Sequence, residues 1–243
     1  PDQVSRPWQM TSQSKHEENR LLSGNILSIF RNQAANTLLI LGAPGSGKTI
    51  SLLDLAKQLF DELDRSTDTV LPIPVIFNLS SWAQKKQSLK VWLLQELKDR
   101  YAVDNQNSSY WLERNAMVLL LDGLDEVAES QRAACVKAIN QYREEHGFTQ
   151  LASCSRLKEF EVLSNQLNLT WAVSLQPLDY AKANDYLNRM GNQLDAVRKL
   201  LQEDEQLKEW VQSPLFLYVV AIAYRGLSLP ELRQTHTGSL SRL

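Results

Sequence analysis

Cysteine is scarce. Cys135 and Cys154 are the only two in 243 residues, and they stand too far apart in sequence to suggest a metal clip. Cys154 ends an apolar run and reads as a buried thiol, which fits a reducing compartment. Neither sign of charge dominates. The 26 Lys and Arg against 28 Asp and Glu leave a formal net charge of −2, so bulk charge gives no pull toward nucleic acid or an acidic membrane surface. Long hydrophobic runs are missing as well. The apolar stretch Leu215 to Ala223 is far short of the roughly 20 residues that span a bilayer. Pro1 to Arg20 is polar throughout and unlike a signal peptide. These absences predict a cytoplasmic globular chain without a membrane span or a nucleic-acid partner. The chain does not begin with Met, and the polar stretch from Arg233 to Leu243 reads as linker. The expectation is a fragment of a longer protein.

The apolar pattern supplies the architecture. Leu21, Leu22, Ile26, Leu27 and Phe30 recur near a 3.6 period and predict an N-terminal helical lead-in over residues 1–36. Strands are expected at Leu38–Leu41, Ile73–Leu79, Met117–Leu121, Gln150–Cys154 and Thr170–Leu175. Helices are expected between them at Lys48–Leu63, Leu89–Tyr101, Ser108–Arg114 and Ser130–Glu145. Met117–Leu121 is continuously apolar, as a strand buried on both faces must be. Strands alternating with helices predict right-handed crossovers and a parallel sheet, hence an α/β core over residues 37–177. After Pro177 only helical periodicity remains, at Tyr180–Met190, Gln193–Leu201, Asp204–Gln212 and Leu215–Arg225. This predicts a helical domain over 178–227, with a polar tail at 228–243.

Gly42-Ala43-Pro44-Gly45-Ser46-Gly47-Lys48-Thr49 follows the first core strand and opens a helix, the context that the phosphate-binding loop G-x-x-x-x-G-K-[ST] requires. Glycines let the backbone curl so that successive N–H groups face phosphate oxygens, and the helix adds the positive end of its dipole. Lys48 is placed to bridge the outer phosphates, and the Thr49 hydroxyl to ligate Mg²⁺. Roughly one chain in a hundred of this length would match by chance, and the strand and helix context makes coincidence rarer.

Val118-Leu119-Leu120-Leu121-Asp122 is a buried strand that ends in a carboxylate, which suits Asp122 to hold Mg²⁺ through water. Many hydrolytic P-loop proteins carry a glutamate immediately after that aspartate. Here the place is taken by Gly123, and the acids Asp125 and Glu126 follow. One of the pair is expected near metal or water; the alternative is an acid-rich turn before the next helix. Cys154-Ser155-Arg156 ends the fourth core strand. Arg156 there is either a bidentate partner for phosphate oxygens or an arginine on a solvated turn.

With Gly42–Thr49, Leu119-Leu120-Leu121-Asp122-Gly123-Leu124-Asp125-Glu126 and Cys154–Arg156, the sequence resembles the NACHT family of signal-transduction ATPases with numerous domains, bacterial members especially. Pro74 to Trp82, Gln176-Pro177-Leu178 and Ser213-Pro214-Leu215 are similar too, and the resemblance covers about residues 6–226. It implies a P-loop three-layer sandwich with a five-stranded parallel sheet in the order 5-1-4-3-2, and a small helical domain packed across the nucleotide. It also implies ATP/ADP-controlled assembly, with self-association or partner domains in a larger chain. Adenine over guanine rests on this resemblance. By the same carry-over Pro214 touches the adenine and Arg6-Pro7-Trp8 lies near the base. The family's winged-helix domain, whose histidine reaches the β-phosphate at rest, has no counterpart in this sequence, and His236 is not given that role.

The candidate catalytic residues are therefore Lys48, Asp122, Asp125, Glu126 and Arg156. Those for ATP/ADP binding are Gly42, Ala43, Pro44, Gly45, Ser46, Gly47, Lys48, Thr49, Ile50 and Pro214, and those for Mg²⁺ are Thr49 and Asp122. The expected function is a nucleotide-operated signalling switch with slow ATP hydrolysis. The alternatives are a nucleotide-holding scaffold without turnover and a P-loop small-molecule kinase. The kinase reading lacks an arginine-rich lid between Arg156 and Arg189.

Overall fold

The computed structural model describes residues 9–12, 21–22, 25–67, 71–85, 87–147, 149–163 and 166–232. The chain separates into two compact units. The larger comprises Met10–Ala43 and Lys48–Ser174; the smaller holds the chain from Leu175 together with the loop segment Pro44–Gly47.

A short antiparallel pair, β1 (Gln9–Ser12) and β2 (Leu21–Leu22), comes first. Then follow α1 (Ile26–Ser28), a π-helical turn (Ile29–Gln33), β3 (Thr37–Gly42), α2 (Lys48–Arg65), β4 (Ile73–Asn78) and α3 (Ser80–Lys85). Next are α4 (Leu89–Tyr101), α5 (Asn105–Glu113), β5 (Met117–Asp122), a 3₁₀ turn (Leu124–Glu126) and α6 (Glu129–Glu145). β6 (Gln150–Arg156), α7 (Leu157–Glu161) and β7 (Trp171–Gln176) complete the sheet region.

The sheet order is β2-β1-β7-β3-β6-β5-β4. Its five core strands, numbered from β3, give the expected parallel 5-1-4-3-2 arrangement. β1 and β2 extend it beyond that expectation. Leu21 and Leu22 are strand rather than helix, paired with Thr11 and Met10. Two adjacent leucines fit either period, so periodicity alone could not assign them. Helix begins after Asn25, whose side chain accepts from the Ser28 N–H at 2.8 Å, a local N-terminal cap.

Burial explains why β3 and β5 sit centrally. All six residues of β3 are buried, as are Met117 to Leu121 of β5. In α2, Leu52, Leu55 and Leu59 are buried on one face while Leu53 and Phe60 are exposed. The core centres on Phe77 and Trp92, both fully buried with ring centroids 5.7 Å apart. The Trp92 indole N–H donates to Ser81 Oγ at 3.0 Å, so its polar edge is satisfied.

Parallel registry decides what meets at the sheet edge. Gly42 pairs with Arg156 in β6, and Asp122 with Asn78 in β4. Leu121 pairs with Ser153. The carboxyl ends of β3, β5 and β6 therefore finish on one side, the place where open α/β sheets bind ligands.

The smaller unit contains α8 (Tyr180–Arg189), a 3₁₀ turn (Asn192–Leu194), α9 (Asp195–Glu203), α10 (Glu205–Trp210) and α11 (Pro214–Ala223). Asp179 and Asp204 cap α8 and α10. Leu187, Val197, Leu201, Leu207 and Ala221 share its apolar core. Residues 229–232 are helical and Leu232 is fully buried in that core, so packed structure continues past residue 227 into the segment read as a polar tail. Among the described residues no helix is long and apolar enough to cross a membrane.

Candidate nucleotide site

β3 ends at Gly42 and α2 starts at Lys48, so the glycine-rich loop is a strand-to-helix turn. Gly45 and Gly47 have φ of 70° and 94°, values that side-chain-bearing residues rarely adopt. Ser46 is buried and its hydroxyl has no hydrogen-bond partner among the described residues. The Lys48 ammonium lies along its own loop, donating to the carbonyls of Gly42 (3.2 Å) and Ala43 (3.1 Å). Ile50, next on the helix, is partly exposed.

Thr49 and Asp122, 73 positions apart in sequence, meet directly: Thr49 Oγ1 donates to Asp122 Oδ1 at 3.1 Å. The same carboxylate oxygen accepts from the Cys154 thiol at 2.7 Å. Cys154 Sγ in turn accepts the Gly123 N–H at 3.5 Å. Burial and the neighbouring Asp122 charge push the Cys154 thiol well above its ordinary range, so it is a neutral donor at physiological pH. A hydroxyl and a carboxylate are hard oxygen donors suited to Mg²⁺ held largely through water. The paired oxygens of Thr49 and Asp122 fit such an ion.

The acids after Asp122 have different surroundings. Gly123 has φ of 75° and starts the 3₁₀ turn. A Cβ added at Gly123 would meet Glu126 Oε2 at 2.9 Å. The turn thus folds the Glu126 carboxylate back over position 123, into the space where a side chain at that position would stand. Glu126 is exposed and its carboxylate has no ion-pair partner among the described residues. Asp125 points elsewhere: its side chain is 7% exposed and pairs with Arg156 Nε at 2.9 Å. Arg156 also reaches Glu159 at 3.5 Å.

Arg132 escaped the sequence reading. It is nearly buried and donates to the carbonyls of Asp125 (3.0 Å) and Val127 (3.1 Å), fastening the turn that carries both acids. A signal was available, because Arg132 occupies the apolar face of α6 with Cys135, Val136, Ile139 and Tyr142. Cys154 was seen as a buried thiol, but its bond to Asp122 depends on the registry of β5 and β6.

Pro214 is the first residue of α11. Within the smaller unit, Ser213 Oγ and the Leu215 N–H flank it and both donate to the Gly45 carbonyl, at 3.3 and 3.2 Å. Arg6-Pro7-Trp8 and His236 lie outside the described residues.

A NACHT domain family model matches residues 36–193, more than half of the chain. No curated protein matches the sequence. Among solved structures, the chain is similar to one in the structure of Drosophila ORC bound to DNA, at 14% identity and a TM-score of 0.53. That match covers 86% of this chain and 58% of the other. It is also similar to domain III of the Thermotoga maritima replication initiation protein DnaA, again at 14% identity and a TM-score of 0.53, covering 84% and 85% of the two chains. At such identity the likeness is one of fold.

Proposed function

Because the chain belongs to the NACHT domain family and carries a P-loop nucleotide-binding module, we propose that it is an ATP/ADP-operated switch with slow ATP hydrolysis, working in the cytoplasm within a larger assembly. The observation that carries this reading is the contact of Thr49 with Asp122, with Arg156 in register beside Gly42 where the loop that bears Lys48 begins.

In this reading, loop N–H groups and Lys48 hold the phosphate chain, and Thr49 and Asp122 hold Mg²⁺. Bound there, the metal ion neutralises phosphate charge. Glu126, exposed and folded over Gly123, orients the attacking water. Asp125 is committed to Arg156 and acts through it. A γ-phosphate competes with Asp125 for the Arg156 guanidinium, so ATP and ADP leave the end of β6 in different arrangements. A ligand shifts an equilibrium only by such differential contact. Pro214 borders the adenine. Self-association, or docking of neighbouring domains, reads out the shift.

The scaffold alternative is supported by Gly123, which stands where many hydrolytic P-loop proteins carry glutamate. Phosphate release from ATP without added acceptor separates the readings. Slow, Mg²⁺-dependent release supports the switch, and absence of release from a protein that binds ATP supports the scaffold. Release that appears only with a small-molecule acceptor supports a kinase and overturns both.

A further inference from the structure

We propose that Cys154 is a positioning residue for the metal-holding carboxylate, its thiol fixing the orientation of Asp122. This rests on the assignment of Thr49 and Asp122 to Mg²⁺ and adds a residue outside that pair.

The geometry is specific. Cys154 is 1% exposed at the end of β6, and its Sγ lies 2.7 Å from Asp122 Oδ1. The Gly123 N–H approaches the same sulfur at 3.5 Å. Sγ is thus a relay between the backbone just after Asp122 and the Asp122 side chain: it accepts from one and donates to the other. The relay adds a side-chain tie just beyond the last paired residues of β5 and β6, Leu121 and Ser153. Among the described residues Asp122 Oδ1 has one other side-chain donor, Thr49 Oγ1, and Thr49 is itself a metal-site residue. Cys154 is therefore the donor to Asp122 that stands outside the metal pair.

The thiol suits this task better than it suits ligation. At 2.7 Å from a carboxylate oxygen the sulfur shares its proton with that oxygen, whereas a soft metal ligand must be a thiolate. A hydrogen bond from outside the ligand set holds the carboxylate in one rotamer, and outer partners of this kind commonly change metal affinity by about 10–100-fold when removed. Serine retains a donor at this position and alanine does not.

The test measures the Mg²⁺ concentration that half-maximally enhances binding of a fluorescent ATP analogue to wild type, Cys154→Ala and Cys154→Ser. Thermal unfolding checks that each variant is folded. The proposal predicts that Cys154→Ala raises this Mg²⁺ requirement by about 10-fold or more, with analogue affinity in EDTA unchanged, and that Cys154→Ser stays near wild type. An alanine variant with the wild-type Mg²⁺ requirement overturns the proposal alone. Wild-type binding that ignores Mg²⁺ overturns the metal assignment and the proposal with it.

A second readout needs neither nucleotide nor metal and covers the case of an unstable alanine variant. In the infrared S–H stretching region, the wild-type band lost in Cys154→Ser should lie at lower frequency than the band lost in Cys135→Ser. Strong donation to a carboxylate weakens the S–H bond. Coincident bands overturn the hydrogen bond and the proposal.

Discussion

Arg156 Nε and Asp125 Oδ2 lie 2.9 Å apart, and the partners are unequally placed: the Asp125 side chain is 7% exposed and that of Arg156 44%. Removing the arginine strands a nearly buried carboxylate, whereas removing the carboxylate leaves an arginine that water can reach. Arg156→Gln should therefore lower unfolding free energy by about 1–3 kcal/mol, the usual cost of an unsatisfied buried group, and Asp125→Asn by less. The double variant should recover part of the loss, because residues in contact are not additive. Urea denaturation of the four proteins checks this; strict additivity would show that the pair is not coupled.

The same ion pair bears on nucleotide choice. Asp125→Asn releases Arg156 from its competitor, so the preference for ATP over ADP should rise, while Arg156→Gln should abolish it. Competition binding with the two nucleotides measures both. Equal preference across wild type and both variants would remove Arg156 from γ-phosphate recognition.

Turnover should divide the two acids differently. Glu126→Gln should cut phosphate release by about 100-fold or more, the range for a lost general base, with ATP affinity retained. Asp125→Asn should reduce it less. Single-turnover measurements separate these effects from binding, and the reverse ranking would reassign the base.

Gly123 is required by conformation. At φ of 75° an alanine should cost about 1–2 kcal/mol. Its methyl group would also push Glu126 from its place, because the added carbon meets Oε2 at 2.9 Å. Gly123→Ala should thus lose both stability and turnover, and a stable, fully active variant would contradict this account of the turn.

Alkaline pH probes the core, to which buried Cys135 and Tyr142 belong. Burial raises the Cys135 thiol from 9.0 to about 12, and the Tyr142 phenol from 10.0 to about 12. Each group ionises first in the unfolded chain. Its contribution to stability is full below the unfolded pKa and is lost as pH rises toward the folded value, at about 1.4 kcal/mol per pH unit per group. Stability should fall above pH 9, and Cys135→Ala should flatten that slope between about 9 and 12. An unchanged slope would remove Cys135 as its source.

The core strands were legible because Leu38–Leu41 and Met117–Leu121 are continuous apolar runs, and their order followed from the family resemblance that the loop between β3 and α2 helps to carry. β1 and β2 were not, since two adjacent leucines carry no period. Asp122, Asp125 and Glu126 were legible as a cluster. Their separate roles were not, because the division depends on the left-handed turn at Gly123 and on where β6 delivers Arg156. Cys154 acts on that cluster across 32 positions of sequence, and Arg132 through the carbonyls of nearby Asp125 and Val127, contacts that the folded turn and strand ends create.

Equilibrium binding of a fluorescent ATP analogue with Mg²⁺, to wild type and Lys48→Ala, is the most direct test of nucleotide recognition by this loop. Wild type should bind in the micromolar range. The variant should lose at least about 100-fold, since charged hydrogen bonds are worth about 1.5–3 kcal/mol each. Micromolar affinity retained by Lys48→Ala, with the protein folded, would contradict it.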